Sequence, residues 1–274
     1  MRILVLALLL LSTNIFAQTS QVRSGLPNGV TIEYVANEGI LISSGTDKVF
    51  IDAIHRPYKD FAAFTPDEQL AKIESGRYPY NTATLVLVSH KHGDHFSAES
   101  VAMFLKKNKF ASLASSKQVT DLVGPLVDEE TKSRITSIDY EAGGAKDITF
   151  GDVKVRFLGM PHGGNPGFDP NTMHNFGHLI EIGGKKLLHL GDADMDAEML
   201  GKFDLEKEKI DVVFAPYWFL DSAEGRKLFK KQLKAKTVVA IHVPPKDSSQ
   251  VIRSLLNSMP SAVVFSAPGE MLNY

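Results

Sequence analysis

Thr84-Leu85-Val86-Leu87-Val88-Ser89-His90-Lys91-His92-Gly93-Asp94-His95 runs from an apolar stretch straight into a loop holding three imidazoles and a carboxylate. Thr84–Val88 has the unbroken apolar character of a strand buried on both faces. A strand that ends in such a loop lets the following side chains converge on one point. Three of the chain's nine histidines fall within positions 90–95, although the chain has 274 residues. A polar surface loop also contains His and Asp, but it does not require that enrichment. Histidine is the commonest metal ligand, and neutral imidazole with carboxylate suits a borderline cation such as Zn²⁺. Gly93 is expected to supply the tight backbone that convergence demands.

The rest of the composition narrows the chemistry. There is no cysteine, which excludes disulfide scaffolds, thiolate nucleophiles, iron–sulfur clusters and Cys-containing zinc sites. Any metal must be held by His, Asp and Glu. A formal charge of −2 gives no electrostatic reason to expect a nucleic-acid partner. With 43% apolar and 23% charged residues, the composition is that of a globular protein. No repeat or linker divides residues 18–274, which are expected to form one domain. Residues 1–17 read as a secretory signal: Met1-Arg2, an apolar run Ile3–Leu11, and a cut after Ala17. Nine apolar residues are too few for a spanning helix, which needs about 20, so no stable membrane anchor is expected. A periplasmic or secreted destination suits a chain with no thiol to oxidise.

Elsewhere, short strands and helices alternate. Residues 29–52 read as three strands, and Thr65-Pro66-Asp67-Glu68 as a helix start with a capping box. Ser97 caps a helix with an apolar stripe at Val101, Phe104 and Leu105. Hairpins are expected at 148–160 and 177–191, turning at Gly151-Asp152 and Gly183-Gly184. The last third alternates strand 211–215, helix 223–235, strand 237–243, helix 248–258 and strand 262–266. Mixed strands with helices at both ends suggest layered sheets covered by helices.

His90-x-His92-x-Asp94-His95 resembles the signature of the metallo-β-lactamase superfamily, and further motifs follow in the same order. Asp52 is similar to the Asp that supports the metal loop. Met160-Pro161-His162, Leu190-Gly191-Asp192 and Ala240-Ile241-His242 resemble the segments that supply a His, a bridging Asp and a last His. Gaps of 67, 30 and 50 residues separate His95, His162, Asp192 and His242. The resemblance implies an α+β fold, the four-layer αββα sandwich. It implies one metal on His90, His92 and His162, a second on Asp94, His95 and His242, and Asp192 bridging them. Two Zn²⁺ ions are implied, with Mn²⁺ or Fe²⁺ as substitutes. Two zinc ions with Asp94, Asp192 and a bridging hydroxide leave about +1 in the cleft. That hydroxide would attack an ester, lactone, amide or phosphodiester of a small, anionic substrate. Asp94 and Asp192 are the residues assigned to catalysis, Asp94 also to orienting the nucleophile.

Several readings stay open. His174 and His178 compete with His162 for the third motif. His178 also reads as a core histidine, and His189 either as a satisfied structural one or as a partner that orients the metal ligands. His55 suits either substrate contact or plain exposure. Phe168, Tyr217, Trp218 and Phe219 are candidates for a pocket wall, though the last three also suit packing beneath a helix. Gly163–Met173 is a candidate lid. With Asp192 and no Cys, the chain looks less like a true β-lactamase than like the branch of ascorbate-6-phosphate lactonases and N-acylphosphatidylethanolamine phospholipases. A β-lactamase and a non-catalytic periplasmic metal-binding module are the alternatives, and the oligomeric state is left open.

Overall fold

In the computed structural model, residues 29–163 and 172–274 are described. The expected signal segment 1–17, Phe168 and most of the expected lid lie outside them. Among the described residues, no helix is long and apolar enough to cross a membrane.

The first half forms one sheet. It contains β1 (Thr31–Ala36), β2 (Gly39–Ser44), β3 (Asp47–Ile51), β4 (Leu85–Leu87), β5 (Ser112–Ser116) and β6 (Ile135–Ile138) in that order. The second half forms another from β7 (Ala145–Phe150), β8 (Val153–Gly159), β9 (Phe176–Ile182), β10 (Lys185–His189), β11 (Val212–Pro216), β12 (Thr237–Ile241) and β13 (Val263–Val264). A last strand, β14 (Met271–Asn273), returns to the first sheet beside β1. Helices α1 (Asp67–Glu74), α2 (Ala98–Lys107), α3 (Lys117–Val123) and α4 (Glu129–Lys132) accompany the first sheet. Helices α5 (Ala197–Gly201), α6 (Tyr217–Asp221), α7 (Ala223–Leu228) and α8 (Ser248–Ser258) accompany the second.

Three apolar layers make this a four-layer αββα sandwich. Ile32, Ile40, Ile51, Leu85, Leu87, Phe157, Ile180, Leu187, Phe214 and Ile241 fill the space between the sheets. Phe50, Val86, Val88, Val101, Phe104 and Leu105 pack the first sheet against its helices. Leu188, Val213, Phe219, Leu228 and Leu255 do the same for the second. Leu85 and Leu87 thus face one layer while Val86 and Val88 face the other, which is why the run before the histidine loop has no polar position.

Strand direction decides where the chemistry gathers. β3 and β4 run parallel, as do β10, β11 and β12, and two antiparallel steps make β8 co-directional with β10. The segments after β3, β4, β8, β10 and β12 therefore leave by one edge of the sandwich. β1 is likewise two antiparallel steps from β3, so the β1–β2 turn at Asn37-Glu38 emerges at the same edge.

Local expectations meet mixed outcomes. Ser97 accepts the Ser100 N–H and caps α2. The capping box at Thr65 does not form: Pro66 occupies the cap position, and the Thr65 hydroxyl donates instead to Ala53 O at 2.8 Å. The expected helix 223–235 is α7 followed by a wider turn at Phe229–Leu233. Strands β5 and β6, with α3 between them, form where no element was expected. Their polar residues Ser115 and Ser116 are tolerated because neighbouring strands satisfy the backbone.

Candidate metal centre

The loop 90–95 wraps back on itself, with His95 N and Phe96 N both donating to His92 O. This turn aims His90 and His92 to one side and Asp94 and His95 to the other. Each neighbouring segment then adds a side chain. His162 follows β8 and forms an isolated bridge with Ala193, beside Asp192. His242 follows β12 in a left-handed conformation (φ 58°), held there by its N–H donating to Asn37 O at 2.8 Å.

Two clusters result. His90, His92, His162 and Asp192 each offer a donor atom within 4.8 Å of the others, and so do Asp94, His95 and His242. The two oxygens of Asp192 divide between them. Oδ2 lies 3.4 Å from His162 Nε2 and 3.9 Å from His90 Nε2, while Oδ1 lies 3.5 Å from His95 Nε2 and 3.9 Å from His242 Nε2. Asp94 Oδ2 is 3.3 Å from His242 Nε2. All seven residues implied as ligands thus lie around one point.

A ring of hydrogen bonds fixes which nitrogens face inward. Asp52, also left-handed (φ 47°), accepts from Ser89 N at 2.7 Å, from the Ser89 hydroxyl, and from His95 Nδ1 at 3.0 Å. With Nδ1 carrying the proton, His95 Nε2 is left bare. Among the described residues, that atom and Asp192 Oδ1 are buried without a hydrogen-bond partner. His90 Nδ1 is engaged by the Ser89 hydroxyl at 3.0 Å, leaving Nε2 to face His92 Nδ1 at 2.9 Å. His162 Nδ1 is in contact with Gly163 O. Bare imidazole nitrogens, unpartnered carboxylate oxygens and tautomers locked from behind are what a bound metal cation requires, and the residues fit one.

The electrostatics point the same way. Burial works against ionised Asp52, Asp94 and Asp192, yet the neighbouring histidines hold all three below the usual carboxylate range. Burial keeps His90 neutral, well below its ordinary value, and brings His92 down to about 4 with help from His162. His95 is the exception: burial opposes its charge, but Asp192 and Asp52 push it up. Anionic carboxylates beside the neutral His90 and His92 imidazoles make a site that favours positive charge.

Other expectations resolve individually. His174 stands apart, stacked on Tyr140 at 4.5 Å between ring centres, and joins neither cluster. His178 is fully buried against Phe157 in the core. His189 is satisfied on both nitrogens, Nε2 donating to Glu38 O at 2.9 Å and Nδ1 accepting from Gly191 N at 3.2 Å. His55 is not exposed; it is fully buried beneath the β1–β2 turn, near Ala36 O. Gly93 is not in a left-handed conformation, so its role is space rather than backbone freedom: a Cβ there would lie 2.4 Å from Tyr58 Cδ2. Phe219 is core, whereas Tyr217 and Trp218 line the cleft, Trp218 lying edge-on to His242 at 4.7 Å.

The cleft over the clusters has a volume of about 420 Å³ and is completed by Tyr58, Lys59 and Phe61, which no sequence signal singled out. Lys59 Nζ sits 4.8 Å above the Tyr58 ring and 5.8 Å from the Phe61 ring. No sequence signal marks Asn37 or Glu38 either. Asn37 Nδ2 donates to Asp94 O at 3.0 Å, and Glu38 is buried beside His95. Turn composition carries no mark of such a role; the signal was the strand direction that brings this turn to the edge.

Comparison with known proteins gives a consistent picture. The family model described as a beta-lactamase superfamily domain matches residues 48–264. A UPF0173 metal-dependent hydrolase from Natranaerobius thermophilus is 26% identical over 248 residues, 88% of this chain and 98% of that protein. One from Pelotomaculum thermopropionicum is 29% identical over 219 residues, 77% of this chain and 83% of that protein. Among solved structures, Igni18, a metallo hydrolase from Ignicoccus hospitalis, shares the fold with a TM-score of 0.58 at 19% identity, over 90% of this chain and 98% of that one.

Proposed function

The chain belongs to the metallo-β-lactamase superfamily, and from that premise we propose that it is an exported metal-dependent hydrolase using two zinc ions on a small anionic ester, lactone or phosphodiester. The observation that carries the reading is the division of Asp192, one oxygen toward each cluster. His90, His92 and His162 would hold one ion and Asp94, His95 and His242 the other, with Asp192 between. Histidine nitrogens with carboxylate oxygens suit zinc, and the carboxylates also accommodate manganese or iron. When bound, such a pair supplies Lewis acidity and a water deprotonated near neutral pH.

The chain's own residues supply the rest. Asp52 holds the proton on His95 Nδ1 and so keeps Nε2 directed at the ions. Asp94, which lines the cleft beside His242, orients the nucleophile. Tyr58, Phe61, Tyr217 and Trp218 form an apolar wall that takes the body of the substrate and sheds water. Lys59, at the rim, meets its negative charge. Export is supported by the Met1–Ala17 pattern and by the absence of cysteine.

The test is a hydrolysis screen of the zinc-loaded protein over esters, lactones, phosphodiesters and a chromogenic cephalosporin. Turnover of an ester, lactone or phosphodiester, abolished by a chelator and lowered by orders of magnitude in Asp192→Asn, is expected. Cephalosporin hydrolysis alone would instead make it a β-lactamase. Metal uptake with no turnover across the panel would make it a binding module.

A further inference from the structure

The β1–β2 turn brings a carboxylate to the metal-binding edge that none of the motifs includes. Glu38 is fully buried, and among the described residues neither of its oxygens has a hydrogen-bond donor. Oε2 is 3.8 Å from His95 Nδ1, beyond hydrogen-bonding distance, and Asp52 already takes that proton at 3.0 Å. His189 approaches Glu38 and Asp52, but both of its nitrogens are committed, one of them to the Glu38 main-chain carbonyl. The direction left is toward Asp192. One oxygen of Glu38, one ring nitrogen of His95 and one oxygen of Asp192 lie within 4.8 Å of one another. Of that trio's atoms, His95 Nε2 and Asp192 Oδ1 share the lack of a hydrogen-bond partner.

A carboxylate stripped of water either takes up a proton, the direction in which burial and Asp192 push Glu38, or is held ionised against a positive charge or a set of donors. Resting on the two-ion reading above, we propose that Glu38 is a further carboxylate of the metal centre and would hold an ion together with His95 and Asp192. The centre then carries three carboxylates rather than two. The turn that supplies the third also positions Asp94 and His242, through Asn37 Nδ2 to Asp94 O and Asn37 O to the His242 N–H. The rival explanation is a protonated Glu38 that donates a hydrogen bond to Asp192 and never meets a metal.

Zinc content by elemental analysis and chelator-competition titration, on the full chain and its Glu38→Gln and Glu38→Leu variants, separates the two. Circular dichroism of the metal-free proteins checks that each is folded. Glu38→Gln keeps the volume and can still donate to Asp192, but it has no charge. Expected are two zinc ions per wild-type chain, and in both variants one ion held as in the wild type with the other weakened at least tenfold. Wild-type affinity for both ions in Glu38→Gln, with weakening only in Glu38→Leu, would establish the hydrogen-bonding acid and overturn the proposal. A wild-type chain that takes up fewer than two ions would overturn both this proposal and the reading it rests on.

Discussion

Asp52 does not line the cleft, yet replacing it with Asn should weaken the metal centre. Its carboxylate accepts from Ser89 N, the Ser89 hydroxyl and His95 Nδ1, all fully buried. Asp52→Ala would strand the Ser89 N–H and the imidazole proton together, at about 3–5 kcal/mol, and tests the fold more than the metal. Asp52→Asn is the sharper probe. Its amide oxygen can still accept the Ser89 N–H, but its NH₂ then faces His95 Nδ1. The imidazole must shift its proton to Nε2, the nitrogen 3.5 Å from Asp192 Oδ1. Losing the group that orients a ligand costs roughly 10–100-fold in metal affinity, which is about 1.4–2.7 kcal/mol. At fixed zinc, that much of the metal's stabilisation disappears. For a chain of this size, each kcal/mol moves Tm by about 2–4 °C. The gap between zinc-loaded and chelator-treated melting temperatures should therefore narrow by roughly 3–10 °C. Calorimetry of both proteins, with and without chelator, makes the measurement. The chelated pair subtracts any purely structural cost of the substitution. An unchanged gap would refute the tautomer argument.

The other expectations concern the cleft and the core. Gly93→Ala should cost about 1–3 kcal/mol by displacing the Tyr58 ring; in a denaturant double-mutant cycle, Tyr58→Ala should recover most of it, and strict additivity would deny the contact. Trp218→Ala should raise KM about tenfold with kcat unchanged, the mark of a binding wall; a fall in kcat alone would place Trp218 in the chemistry. His178 is fully buried, and burial lowers it to about 3. The unfolded chain takes up its proton below the ordinary value of 6.5 while the folded chain stays neutral. Stability should thus fall by up to about 1.4 kcal/mol per pH unit as pH drops from 6.5 toward 3. His178→Leu should flatten that slope in urea unfolding between pH 6.5 and 4, and an unaltered slope would mean His178 protonates in the native state.

Much of the architecture was written locally. Thr84–Val88 needed no partner to read as a doubly buried strand, and the histidine loop needed none to read as a convergence of donors. The hairpin turns at Gly151-Asp152 and Gly183-Gly184 likewise carry their own signal, and β7–β8 and β9–β10 form around them. Where a residue's partner lies far along the chain, local reading failed. Thr65 had every mark of a helix cap, but Ala53 O offered its hydroxyl a buried acceptor, and the cap was given up. His55 stood near an expected rim and was instead covered by the β1–β2 turn.

By itself, then, the sequence determined that alternating strands and helices would form two covered sheets, and that cysteine-free donors would cluster after β4. Hydrophobic periodicity and contiguous ligands need only near neighbours to express themselves. The tertiary structure alone decided that Asn37 and Glu38 stand behind Asp94 and His95, that Asp192 divides between two clusters, and that Tyr58 rests on Gly93. Those contacts join segments up to about a hundred residues apart, brought to one edge by the relative direction of strands, a property that no single stretch of chain contains.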